Sequence, residues 1–135
     1  MKSQIFINLP VKDLPKSMAF YTEIGFTNNP QFTDETAACM VFSDEIYVML
    51  LTYNRFRDFI RKEIANTHKT TAVINSLSLE SVAKMNEMAD KALAAGGTEP
   101  TEPKDYGFMQ QRSFEDPDGH FWEVFYMDVS QFPKQ

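Results

Sequence analysis

The sequence predicts an α+β fold, two βαβββ modules forming a curved mixed sheet around a cleft, within one domain spanning 1–135. Three observations carry this. A strand-helix-strand-strand-strand order reads out twice, over 4–53 and again over 70–127. Each helical pattern stops at glycine, at Gly25 in the first module and at Gly96-Gly97 in the second. Turn residues Asp116-Pro117-Asp118-Gly119 separate the last two strand-like runs.

In the first module, residues 5–9 open with the β-branched or aromatic Ile5, Phe6 and Ile7, read as a strand and stop at Pro10, which has no N–H to give a ladder. Asp13 is placed to cap a helix, with Pro15 tolerated in its first turn and Met18, Ala19, Tyr21 and Ile24 as its apolar stripe. Three extended stretches follow at 26–33, 37–43 and 45–53, the last two joined by a turn at Ser43-Asp44. Residues 54–69 are polar with scattered aromatics and read as a linker with a short helix.

The second module opens with a strand at 70–79. A helix over 80–95 carries Val82, Met85, Met88, Ala89 and Leu93 on one face. Strands at 98–103, 108–114 and 120–127 complete it, with a turn at 104–107. A half of this kind has an apolar face to cover, which calls for the other half or a second subunit and makes a homodimer the expected assembly.

Composition narrows the partners. With 13 Lys and Arg against 19 Asp and Glu the net charge is -6, which disfavours nucleic acid. Arg55, Arg57, Arg61 and Lys62 share their stretch with Asp58 and Glu63 and read as a solvated helix face. No apolar run approaches the roughly 18 residues of a membrane span, and the first residues lack an apolar signal core. The single Cys39 excludes an intrachain disulfide and reads as a small buried hydrophobe. A cytoplasmic location is expected.

Two motifs, at opposite ends of the repeat, resemble a known family. Leu9-Pro10-Val11-Lys12-Asp13-Leu14, followed by Ser17, Phe20-Tyr21 and Gly25-Phe26, is similar to the opening of a vicinal oxygen chelate module. Residues 114–123, from Phe114 through Asp116-Pro117-Asp118-Gly119 to Glu123, are similar to its last hairpin. The superfamily includes lactoylglutathione lyase, extradiol dioxygenases, and fosfomycin- and bleomycin-resistance proteins. The resemblance covers residues 4–127 and implies the glyoxalase/bleomycin resistance fold.

The resemblance also implies where a metal would be held. In the metal-dependent lyases a His stands three residues before the leucine of the first motif; here it is Phe6. The ligand just before the preserved Leu51-Thr52-Tyr53-Asn54 falls on Leu50, and the His opening the second module falls on Ile74. Glu123 alone remains. Three apolar side chains cannot donate to a divalent ion, so neither metal nor other cofactor is expected. His68 reads as an exposed linker residue, and His120 as packed or bonded beside its turn.

Period-two alternation assigns Phe6 and Asn8, Val48, Leu50 and Thr52, Ile74 and Ser76, and Phe121, Glu123 and Phe125 to one inward face. The ligand-binding residues expected there are Phe6, Asn8, Leu50, Thr52, Ile74, Ser76, Arg112 and Phe121. Glu123 is the candidate catalytic residue, or else a carboxylate bonded to a neighbour such as Arg112. Tyr53, Phe56, Tyr106 and Phe108 could line a mouth. The leading reading is a metal-free protein that binds a small, partly apolar molecule, with metal-independent chemistry open to it. The alternatives are a metal-dependent enzyme like lactoylglutathione lyase and an antibiotic-binding resistance protein taking a cationic drug.

Overall fold

The computed structural model describes residues 2–131, so Met1 and residues 132–135 of the expected 1–135 domain lie outside the described residues. The chain divides into two compact units, one ending at Thr70 and one beginning at Thr71. The strands form two four-stranded mixed sheets, one in each unit.

In the first unit β1 (Ile5–Val11) runs straight through Pro10 rather than ending before it. Asp13 then caps α1 (Leu14–Glu23), its carboxylate accepting from the Lys16 amide at 3.1 Å. The helix buries Leu14, Ser17, Phe20 and Tyr21. Of the expected stripe, Tyr21 and Ile24 are buried and Met18 is half-buried, while Ala19 faces solvent. β2 is short (Thr27–Asn29), because Pro30 starts a single 3-10 turn there, capped by the Asn29 side chain, which accepts from the Gln31 amide. β3 (Ala37–Val41) and β4 (Ile46–Thr52) follow. The sheet order is β1-β4-β3-β2, with β1 and β4 parallel. β1 is therefore an edge strand, one side of which has no ladder to serve, which is why Pro10 is accommodated. Thr52 then caps α2 (Tyr53–Arg57), which packs on β1 and β4. The expected linker thus belongs to the first unit.

In the second unit β5 is confined to Asn75–Ser78, and residues 70–74 are not strand. Ser81 caps α3 (Val82–Ala94), which buries Met85, Met88, Ala89 and Ala92 while Leu93 stays exposed. β6 (Lys104–Asp105) stands where a turn was expected. The turn lies two residues further on, where Gly107 adopts positive φ and its amide donates to Asp105. Residues 98–103 pair with β7 (Met109–Glu115) only through the Thr98–Glu115 bridge. The Asp116–Gly119 turn is held by the Asp116 carboxylate, which accepts from the amides of Asp118 and His120 at 2.9 Å each, and leads into β8 (Phe121–Met127). The order is β5-β8-β7-β6, with β5 and β8 parallel, the first sheet's plan over again.

The helix ends repeat as closely as the sheets. After α1, the Phe26 amide donates to the Tyr21 carbonyl and that of Gly25 to Thr22; after α3, Gly97 donates to Ala92 and Gly96 to Leu93. Both are Schellman caps, which need a left-handed residue; Gly25 and Gly96 supply it at φ 120° and 105°. The second unit's core lies between α3 and its sheet, where Trp122 and Phe114 stack at 6.3 Å beside Val124 and Leu77.

Candidate functional site

Strand register decides which side chains share a face. In the second sheet Glu123 lies opposite Ser76 on one side and Ser113 on the other. Its carboxylate accepts from Ser76 Oγ at 3.3 Å and from Gln111 Nε2 at 3.0 Å. Two neutral donors hold the group, and no Lys, Arg or His pairs with it among the described residues. Phe121 and Phe125, two residues to either side, point to the same face and are half-buried. Ile74 precedes β5 in the same alternation as Ser76 and is exposed. Ser76, Phe121 and Glu123 thus share the face away from α3, with Ile74 on the approach to it.

Arg112 is not among them. Its partner in register is Val124, and its side chain turns under α3. Nε and one terminal nitrogen form a bidentate pair with Glu99 at 3.0 and 2.9 Å; the other terminal nitrogen donates to Asp90 at 2.8 Å and Asn86 at 3.2 Å. These bonds, the Glu99 pair foremost, raise the guanidinium's pKa still further. The expected Glu123–Arg112 contact is corrected: adjacent positions on a strand project to opposite faces, so Arg112 ties β7 to α3, whereas Gln111 reaches Glu123.

In the first sheet the parallel register sets Phe6 beside Tyr47, Asn8 beside Met49 and Leu9 beside Leu50. Phe6 and Tyr47 stack at 4.4 Å with planes 10° apart. Leu50 and Val48 are fully buried on the other face, with Leu9, Val11, Ala38 and Met40. Leu50 does not share a face with Phe6 and Asn8, contrary to the alternation reading; Met49 occupies that place. Thr52 also belongs to the Leu50 face, and its hydroxyl caps α2 by accepting from Arg55 N at 3.3 Å. Asn8 is exposed and donates to the Phe6 carbonyl.

The sequence reading missed Tyr47, Met49 and Gln111. For Gln111 a signal existed, since the tight 116–119 turn fixes the hairpin register and places Gln111 diagonal to Glu123. For Tyr47 and Met49 none did, because a parallel register depends on how the intervening helix returns the chain. Of the expected mouth residues, Tyr53 and Tyr106 are exposed and Phe56 and Phe108 half-buried. His120 is buried beside its turn and His68 exposed. Burial pushes the Cys39 thiol up from its ordinary value, as suits an inert hydrophobe.

A family model for the glyoxalase/bleomycin resistance protein/dioxygenase superfamily matches residues 4–124. The chain belongs to this superfamily. Among solved structures, a hypothetical protein from S. aureus is 26% identical, with a TM-score of 0.77 over 93% of this chain and 95% of that one. A glyoxalase/bleomycin resistance protein/dioxygenase family enzyme from Burkholderia phytofirmans is 13% identical, with a TM-score of 0.76 over 93% and 99%. Fosfomycin resistance protein FosX from Mesorhizobium loti is 10% identical, with a TM-score of 0.69 over 97% of each chain. The last two likenesses show the fold alone. No curated protein matches the chain.

Lyases of the glyoxalase superfamily hold a divalent metal, and the residues present here do not fit one. Such a site takes three or four donor side chains. The corresponding places are Phe6, Ile74, Glu123 and, on the face the register defines, Met49 in place of Leu50. Among the described residues no group of three or more His, Cys, Asp or Glu is placed to hold a metal ion. No helix among them is long and apolar enough to cross a membrane.

Proposed function

We propose that this glyoxalase-superfamily protein is a cytoplasmic, metal-free homodimer that binds a small, partly apolar molecule against the sheet face carrying Glu123. The observation that carries the reading is the pairing of Glu123 with Ser76 and Gln111 alone. A carboxylate has about four acceptor sites, of which these two donors take one each, so lone pairs and an uncompensated negative charge are left for a ligand. Phe121 and Phe125 supply apolar surface on either side, and apolar walls with a few fixed polar groups are how small-molecule sites are built. The ligand this favours has an apolar or aromatic body and a hydrogen-bond donor or positive charge.

The same carboxylate is equipped to accept a proton from a bound molecule, which is the metal-independent chemistry open to the site. A metal-dependent lyase would need three further ligands at places held by apolar side chains. An antibiotic-binding role taking a cationic drug is a special case of the binding proposed here, and the net charge of -6 favours it. A buried, solitary Cys39 suits a reducing compartment.

The test is native mass spectrometry of the purified protein, followed by thermal-shift screening of small amines, aromatic acids and bleomycin-type drugs without added metal. A dimer mass, and stabilisation by amine-bearing aromatic compounds that Glu123→Gln abolishes, is the expected result. A monomer would remove the dimer from the proposal, and equal response of Glu123→Gln and the parent protein would remove Glu123.

A further inference from the structure

The basic stretch that reads from sequence as a solvated helix face borders a pocket. Of the chain's 13 Lys and Arg, five fall within 54–69, against two of its 19 Asp and Glu. An acidic protein thus carries a local cationic segment. A cavity of about 210 Å³ opens there, lined by Tyr53, Arg57, Ile64, Ala65 and residues 66–68, all of the first unit.

Arg57 gives this pocket its chemistry. Its guanidinium lies 6.0 Å from the centre of the Tyr53 ring and donates to Asn54 Oδ1 at 3.0 Å. No carboxylate pairs with it among the described residues; the nearby Asp58 is taken by Arg55 at 3.5 Å. Most of its five donors therefore remain for a ligand. Residues 66–70 of the lining and just beyond form a hydrogen-bonded turn: the Asn66 side chain accepts from the His68 amide at 3.2 Å, and the Asn66 carbonyl from the amides of Lys69 and Thr70 at 2.9 Å each. His68, whose backbone that turn fixes, is an exposed residue of the pocket lining.

We propose that this pocket is a binding site for a small oxyanion, a phosphate or carboxylate group, held by Arg57 with His68 beside it. A guanidinium matches the two oxygens of such a group in one plane. The volume is that of roughly seven liquid waters, below the roughly 300 Å³ at which drug-sized sites begin, which suits a short acid or free phosphate rather than a nucleotide. The lining lies wholly in the first unit, whereas Glu123 belongs to the second.

The chain's two histidines make the test direct, since His68 lines the pocket and His120 is buried elsewhere. The His68 ring resonance is followed by NMR while full-length protein is titrated with inorganic phosphate and, separately, acetate, at constant pH and ionic strength against chloride. The expected result is a saturating shift of His68 with His120 unmoved, an affinity at least tenfold weaker in Arg57→Gln, and one within twofold of the parent in Arg61→Gln. The tighter of the two anions identifies the ligand class. A shift that never saturates, or equal weakening by Arg57→Gln and Arg61→Gln, would overturn the proposal, because either signifies diffuse charge attraction.

Discussion

Met49 stands in the first unit where Glu123 stands in the second. Leu9 faces Leu50 across the β1–β4 ladder as Leu77 faces Val124 across β5–β8, so Asn8–Met49 and Ser76–Glu123 are the same pair of positions in the two repeats. One repeat keeps a carboxylate there, bonded by the serine opposite it. The other has a thioether, which accepts hydrogen bonds only weakly. The two sheet faces are thus built on one plan but carry different chemistry.

Removing the charge at Glu123 separates binding from folding. In Glu123→Gln a charge-assisted bond to the ligand, worth about 1.5–3 kcal/mol, is lost, so affinity for compounds found by the thermal-shift screen should fall roughly 10- to 100-fold. Since the group is only half-buried, the urea midpoint of the free protein should barely move. Calorimetric titration and urea unfolding of the two proteins check both halves.

Arg112 should behave in the opposite way. It is 11% exposed and its partner Glu99 19%, and the pair is bidentate. Arg112→Met leaves Glu99 without its countercharge and should cost about 2–3 kcal/mol in urea unfolding. Arg112→Lys cannot reproduce the two parallel bonds and should lose about half as much. Measured affinity per folded molecule stays unchanged, because the side chain lies on the α3 face of the sheet.

Asp34 gives a pH signature confined to one turn. The Thr36 hydroxyl and amide, each 2.7 Å from its Oδ1, hold its carboxyl below the ordinary value of 3.8. A group depressed in the folded state contributes stability above its unfolded pKa and loses it as the pH falls through the folded value. Thr36→Val should therefore raise the Asp34 pKa toward 3.8 in a carboxyl NMR titration. The variant should be less stable than the parent at neutral pH and converge with it in acid.

Much of this architecture was legible in the chain, and the reasons differ from element to element. Asp13, Gly25, Gly96 and the Asp116–Gly119 turn act through local chemistry that sequence spacing exposes directly, and these elements are where the sequence puts them. Strand lengths were overestimated at β2 and β5. β-propensity at 26–33 and 70–79 counts residues that only a ladder partner can enlist, and most of these have none. On the Glu123 face Phe121 and Phe125 were legible because alternation within one strand needs no register, and Ser76, on β5, was placed there correctly as well. Placing Leu50 with Phe6 and Arg112 with Glu123 required register between strands. That is set by how the chain returns from β1 to β4 in one case and by the 116–119 turn in the other, which puts Arg112 on the face of Glu99 and Asp90.

The measurement that tests the central claim most directly is elemental analysis of the purified, dialysed protein, paired with ligand titration before and after chelator treatment. A metal-free site should give far less than one equivalent of zinc, nickel, cobalt, iron or manganese per chain, and an affinity that chelator leaves unchanged. One tightly held equivalent that Glu123→Ala removes, together with binding lost on chelation, would contradict the account.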